Sequence, residues 1–88
     1  MLTRQEIINA ISTRASNRAA MPAAHDRWMA VVTLLHEEGF SMTAWAVVQR
    51  QPMLSSIISR TYVRENETIN IRSCNNYVAG SGWECEAY

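Results

Sequence analysis

His25, His36, Cys74 and Cys85 together supply the side-chain set of a Cys2His2 zinc site. Each pair, however, is separated by ten intervening residues, whereas structural zinc sites space paired ligands by about two to five. If residues 25–36 form one helix, its two imidazoles share a face but stand about 16 Å apart, too far to hold one ion. No metal is expected. Nucleophilic catalysis would need a cysteine beside a histidine, with a third group orienting the base. Neither cysteine stands in such a motif, and Cys85 alternates onto the apolar side of its strand, where a thiol is ordinarily inert. His36-Glu37-Glu38 lacks the second histidine of a zinc-protease helix, and Gly39, Gly80 and Gly82 form no phosphate loop. No catalytic residue and no cofactor is expected, so the chain reads as non-enzymatic. A Cys74–Cys85 disulfide could cross-link the last hairpin if its turn centred on Ala79-Gly80; in a reducing compartment two thiols are expected.

The remaining candidates for chemistry are cations. All eight basic residues are arginine and none is lysine. Arginine forks onto carboxylates and phosphates and stacks on aromatic rings where lysine cannot, so the bias suits fixed, multidentate contacts. The eight acids bring the net charge to zero, which excludes a globally basic nucleic-acid coat and an acidic mimic of DNA. The zero is a cancellation of blocks. Residues 1–27 hold four Arg against two acids, 28–48 hold only Glu37 and Glu38, 49–64 hold only Arg50, Arg60 and Arg64, and 65–88 hold Arg72 against four Glu. Alternating blocks predict a polarised surface, with Glu65, Glu67, Glu84 and Glu86 at an acidic end.

Two binding readings follow. In the first, Arg50, Arg60, Tyr62, Arg64, Arg72 and Trp83 meet a protein partner, because Trp, Tyr and Arg are the types enriched at interface hot spots. Trp45, Tyr77 and Tyr88 add to that aromatic set. Size and the lack of catalytic machinery fit the phage or mobile-element accessory type, an inhibitor or regulator of a protein complex, and homo-oligomerisation through the helix expected from about Ala23 to Glu38 is one form of this reading. In the alternative, the stretch from Val47 to Arg60 resembles a helix-turn-helix, with a hairpin from Tyr62 to Ile71 as its wing. The resemblance implies that Ser55, Ser56, Ser59 and Arg60 approach the major groove while Arg50, Arg64 and Arg72 meet phosphates. It departs from the pattern at Pro52, where that turn normally has glycine.

These residues must be held by elements that the pattern largely specifies. Eighty-eight residues, 48% hydrophobic and 18% charged, suit one small folded domain spanning 1–88 with one core. Thr3-Arg4-Gln5-Glu6 is a capping box flanked by Leu2 and Ile7 as a hydrophobic staple. It opens a helix from about Arg4 to Ala15 with Ile7, Ile8, Ile11 and Ala15 in one stripe. A second helix runs from about Ala23 to Glu38 and ends on Gly39, with Phe40 placed to touch Leu35 in a Schellman cap. Its apolar arc, about 220° wide, is twice what a surface helix needs, so it is either central or carries a partner face.

Residues 41–51 read as a third helix around Met42, Trp45, Ala46 and Gln49, although Val47-Val48 and the alternation at Phe40, Met42 and Ala44 also suit a strand. Pro52 to Arg60 reads as a fourth helix. From Tyr62 the period becomes two: a hairpin with the loop Glu65-Asn66-Glu67 sets Val63 opposite Ile69, and a last strand, Trp83 to Ala87, pairs with Asn75 to Ala79. The expected fold is α+β, three to four N-terminal helices over about 3–60 followed by a small antiparallel β-sheet of three to four strands over about 61–88. No basic-then-apolar leader opens the chain, and no apolar run approaches the ~20 residues that span a bilayer. A cytoplasmic location with no membrane contact is therefore expected.

Overall fold

The capping box and staple create the first element as expected. In the computed structural model, which describes residues 1–51, 55–76 and 82–88 with side chains for 1–48, 57–73 and 85–88, α1 spans Arg4–Ser16. The Glu6 amide donates to Thr3 Oγ1 at 3.2 Å, and the Thr3 amide donates to Glu6 Oε1 at 3.1 Å. Hydrogen bonds to that carboxyl from the Thr3 amide and, secondarily, from the Thr3 hydroxyl hold it below its ordinary pKa. Ile7 and Ile11 are fully buried on the inner stripe, each contributing about 1.5–3 kcal/mol of apolar burial.

α2 spans Ala24–Glu37 and ends in the Schellman geometry. The Phe40 amide donates to the Leu35 carbonyl at 2.9 Å and the Gly39 amide to that of His36 at 3.1 Å. Gly39 takes φ 80°, a left-handed turn that a side chain would strain. The reversal buries Phe40 in the same core cluster as Leu35 and sends the chain into the sheet. The wide apolar arc of α2 has two coverings. Arg14 Nη1 of α1 donates to the Ala30 carbonyl at 3.1 Å on one flank, and Trp28 stacks under Arg60 of the sheet on another. Met29 of α2 stays 44% exposed.

Four antiparallel strands follow in the order of the chain: β1 Ser41–Gln51, β2 Ser55–Arg64, β3 Glu67–Asn76 and β4 Gly82–Ala87. The architecture is α+β, with two helices among the described residues rather than three to four. The expected third and fourth helices are β1 and much of β2, so the helical part ends near residue 38 rather than 60. Thr43, Trp45, Val47 and Val48, then Ile57, Ile58, Thr61, Tyr62 and Val63, are β-branched or aromatic types that fit a pleated surface. Ladder pairing, with β2 for β1 and with both neighbours for β2, outweighs the weaker helical spacing. Pro52 lies outside the described residues.

Register corrects two further expectations. Arg64 pairs with Glu67, leaving a two-residue turn at Glu65-Asn66, so Tyr62 rather than Val63 faces Ile69. A one-residue slip exchanges the faces of a strand. Here it makes Tyr62 a core residue, 6% exposed, and it requires Glu65 to adopt φ 52°. The strand expected at Asn75–Ala79 is the continuation of β3, whose residues Ile71 to Asn76 pair with β4; Tyr77, Val78 and Ala79 lie outside the described residues.

Both helices cover one face of the sheet. α1 lies against β4 and β3, and α2 reaches β2 through Trp28–Arg60. The core between the layers contains Ile7, Ile11, Val31, Leu34, Leu35, Phe40, Tyr62, Ile69 and Ile71. No helix among the described residues is long and apolar enough to cross a membrane.

Candidate protein-interaction surface

Two of the four arginines that the sequence offered for binding, Arg60 and Arg64, are taken up by the fold. Arg64, 8% exposed, donates from Nη1 to the Glu38 carbonyl at 3.0 Å and from Nη2 to the Leu2 carbonyl at 3.1 Å. Its Nε and Nη2 both reach Glu67 Oε1, at 3.2 and 2.9 Å. Its guanidinium lies 4.6 Å from the Phe40 ring centroid, and the Glu38 carboxylate stands 3.7 Å from Nη1. That carboxylate also accepts the Leu2 amide at 2.9 Å. One side chain thus ties the N-terminus, the end of α2 and the β2–β3 hairpin. Arg60 is half-buried, 4.5 Å from the Trp28 ring centroid, and donates to Ser73 Oγ at 2.9 Å.

The same use recurs elsewhere. Arg4 Nε donates to the Thr68 carbonyl at 2.7 Å. Arg27, only 1% exposed, donates from Nη1 to the Met21 and Pro22 carbonyls at 2.8 and 2.7 Å, while its buried Nε has no partner. Multidentate geometry is therefore used inside the molecule, where one planar group can satisfy several carbonyls that lysine could not reach together. The predicted polarised surface is also interlocked, because Arg64 of the basic block pairs with Glu67 of the acidic one.

Of the other candidates, Arg72 is exposed on the face away from the helices, in register with Ser59 and Glu86. Ser59 shares that face. The side chains of Arg50, Ser55, Ser56 and Trp83 lie outside the described ones. The helix-turn-helix resemblance meets a direct obstacle: Val47–Gln51 and Ser55–Arg60 are strand, so no recognition helix carries Ser55, Ser56, Ser59 and Arg60. Arg60 and Arg64 are engaged under the helices rather than turned toward a ligand.

Cys85 lies on the helix side of β4, half-buried. Burial pushes its thiol up to about 11, with Arg60 opposing and Glu86 adding to the shift. Burial likewise raises the Tyr62 hydroxyl above its usual pKa. The thiol is free. Cys74 is opposite Glu84 and Cys85 opposite Ser73, so the two cysteine positions are one residue out of register. A Cys74–Cys85 bridge would need the two directly opposite, whereas alternation puts these positions on opposite faces. His25 and His36 are exposed on α2. Among the described residues no three His, Cys, Asp or Glu side chains gather.

What the sequence reading passed over is β1. Every residue from Ser41 to Val48 is exposed, with Trp45 at 63%, Val48 at 54%, Met42 at 49% and Val47 at 39%. The cause is geometric. β1 is an edge of the sheet, and the helices cover the strands at the other side of it. Met42, Trp45 and Val47, opposite Tyr62, Arg60 and Ile58, form an apolar ledge beside α2. Register shifts at Thr43 and Val48 interrupt an otherwise regular ladder. The signal available beforehand was a run without charge, Phe40 to Val48, rich in β-branched and aromatic types. Comparisons with family models, with curated proteins and with solved structures found no match to this chain.

Proposed function

We propose that the chain is a non-enzymatic protein-binding module that works through β1, its unpaired backbone edge and the ledge of Met42, Trp45 and Val47. The observation that carries this reading is the exposure of β1 from Ser41 to Val48, with Trp45 63% exposed among them. An exposed edge segment such as Ser41–Val48, which carries no lysine, no proline and no charge, is a template for strand addition. An action of the inhibitor or regulator kind would then consist of occupying a strand edge or apolar groove on another protein. A photoreactive amino acid in place of Trp45, compared with the same group in place of Arg72 on the far face, tests the reading in cells that make the chain. A covalent protein adduct is expected from position 45 and not from 72. No adduct of any kind from position 45 refutes the proposal.

A further inference from the structure

We infer that β1 pairs antiparallel with β1 of a second copy of this chain, joining two sheets into one of eight strands; this rests on the protein-binding reading and names its partner. Three observations favour self-pairing. Ser41 to Val48 contains no charged residue, so an antiparallel partner of identical sequence brings no like charges together. The other sheet edge, β4, is only six residues long and carries Glu84 and Glu86. A β1–β1 contact closes on itself about a two-fold axis, whereas β1 against β4 is head-to-tail and leaves a free edge on each end of a pair.

The area also suffices. Trp45 alone offers roughly 150 Å², and with Met42, Val47 and Val48 the exposed side-chain surface is about 400 Å² per copy. Adding the backbone edge gives roughly 600 Å² per copy and about 1,200 Å² in total, the lower bound of a specific interface.

Geometry narrows the pairing further. A two-fold axis perpendicular to the sheet keeps the helices of both copies on one side. Residues directly opposite each other must then share a face, which limits the axis to Trp45 or Ala46 within the bulge-free run Ala44–Val47. Position 45 of one copy is thus opposite, or one diagonal step from, position 45 of the other, within about 8 Å. The two β2 strands would lie three strand spacings apart, about 14 Å. The cleft between the two α2 helices would be floored by both copies' Met42, Trp45 and Val47.

Sedimentation equilibrium of the purified chain, from about one to a few hundred micromolar, tests this. The mass should rise from one copy to two, with concentration-dependent amide protection across Ser41–Val48. Trp45→Lys and Trp45→Glu should each weaken association roughly tenfold or more, and an equimolar mixture of the two should restore it. Trp45→Glu faces Arg60 within its own sheet, so it guards against a variant that merely unfolds, as circular dichroism at low concentration would check. A monomer at every concentration, or a dimer indifferent to both variants, overturns the inference. A monomeric chain that still gives adducts to other proteins at position 45 removes the second copy as occupant and leaves the protein-binding reading standing, whereas absence of adducts removes both.

Discussion

Replacing Arg64 with lysine keeps the charge and most of the length, so it isolates the value of the planar fork. The wild-type guanidinium serves the Leu2 and Glu38 carbonyls and the Glu67 carboxylate from three nitrogens, and its side chain is 9% exposed. A single ammonium cannot point at all three while lying over Phe40. Losing one charge-assisted bond to a buried carbonyl costs about 1.5–3 kcal/mol. The Glu67 contact adds little because that carboxylate is 40% exposed and screened. Arg64→Lys should therefore destabilise by about 2 kcal/mol, and Arg64→Ala, which also strands the Glu38 carboxylate at 18% exposure, by about 3–4 kcal/mol. For a chain this size total stability is on the order of 4–13 kcal/mol, so either loss is a large part of it. Urea unfolding followed by circular dichroism measures the difference, and for the lysine variant Tm should fall by roughly 8–16 °C. A lysine variant within about 0.5 kcal/mol of wild type would refute the claim that multidentate geometry, rather than charge, holds this end of the fold.

Glu65→Gly should raise stability by about 1 kcal/mol, since Glu65 adopts φ 52° with a side chain that disfavours it; no gain in urea midpoint would contradict the strain. In a Cys74→Ser background, Cys85 should react slowly with a disulfide reagent at pH 8 and normally once unfolded, because its thiol lies near 11 in the fold. The folded pKa exceeds the unfolded value, so this group's contribution to stability is complete below about pH 9 and lost as pH rises toward 11; a flat stability profile across that window would count against the buried thiol.

Legibility followed the range of the interactions. The Thr3–Glu6 box and the Leu35–Gly39–Phe40 cap are closed within three to five residues, so their residue types alone specify them. The segment Ser41 to Arg64 is held by pairing between strands, and its local pattern pointed elsewhere. Met42, Trp45, Ala46 and Gln49 fit a helical wheel as well as a strand. Ile57 and Ile58, adjacent in sequence, look like one broad helical face but belong to opposite faces of β2, since Ile58 pairs with Ser73 on the helix side and Ile57 with Cys74 on the other. The slip at the β2–β3 turn came from Glu65, a residue type that gives no sign of a left-handed conformation. The arginine bias was visible from the start, but its use was not, because the Thr68 carbonyl that Arg4 reaches and the Leu2 carbonyl that Arg64 reaches lie more than sixty residues away.

Those distances bear on how the chain folds. Arg64 joins segments whose contacts span 62, 26 and 3 residues, so its bonds close only after the intervening loops have been organised, late and at a large entropic cost. Once closed, they make the chain start, the α2 exit and the hairpin open as one cooperative unit in hydrogen exchange. β1, which shares only a single ladder with β2, should exchange as a separate unit of lower opening energy.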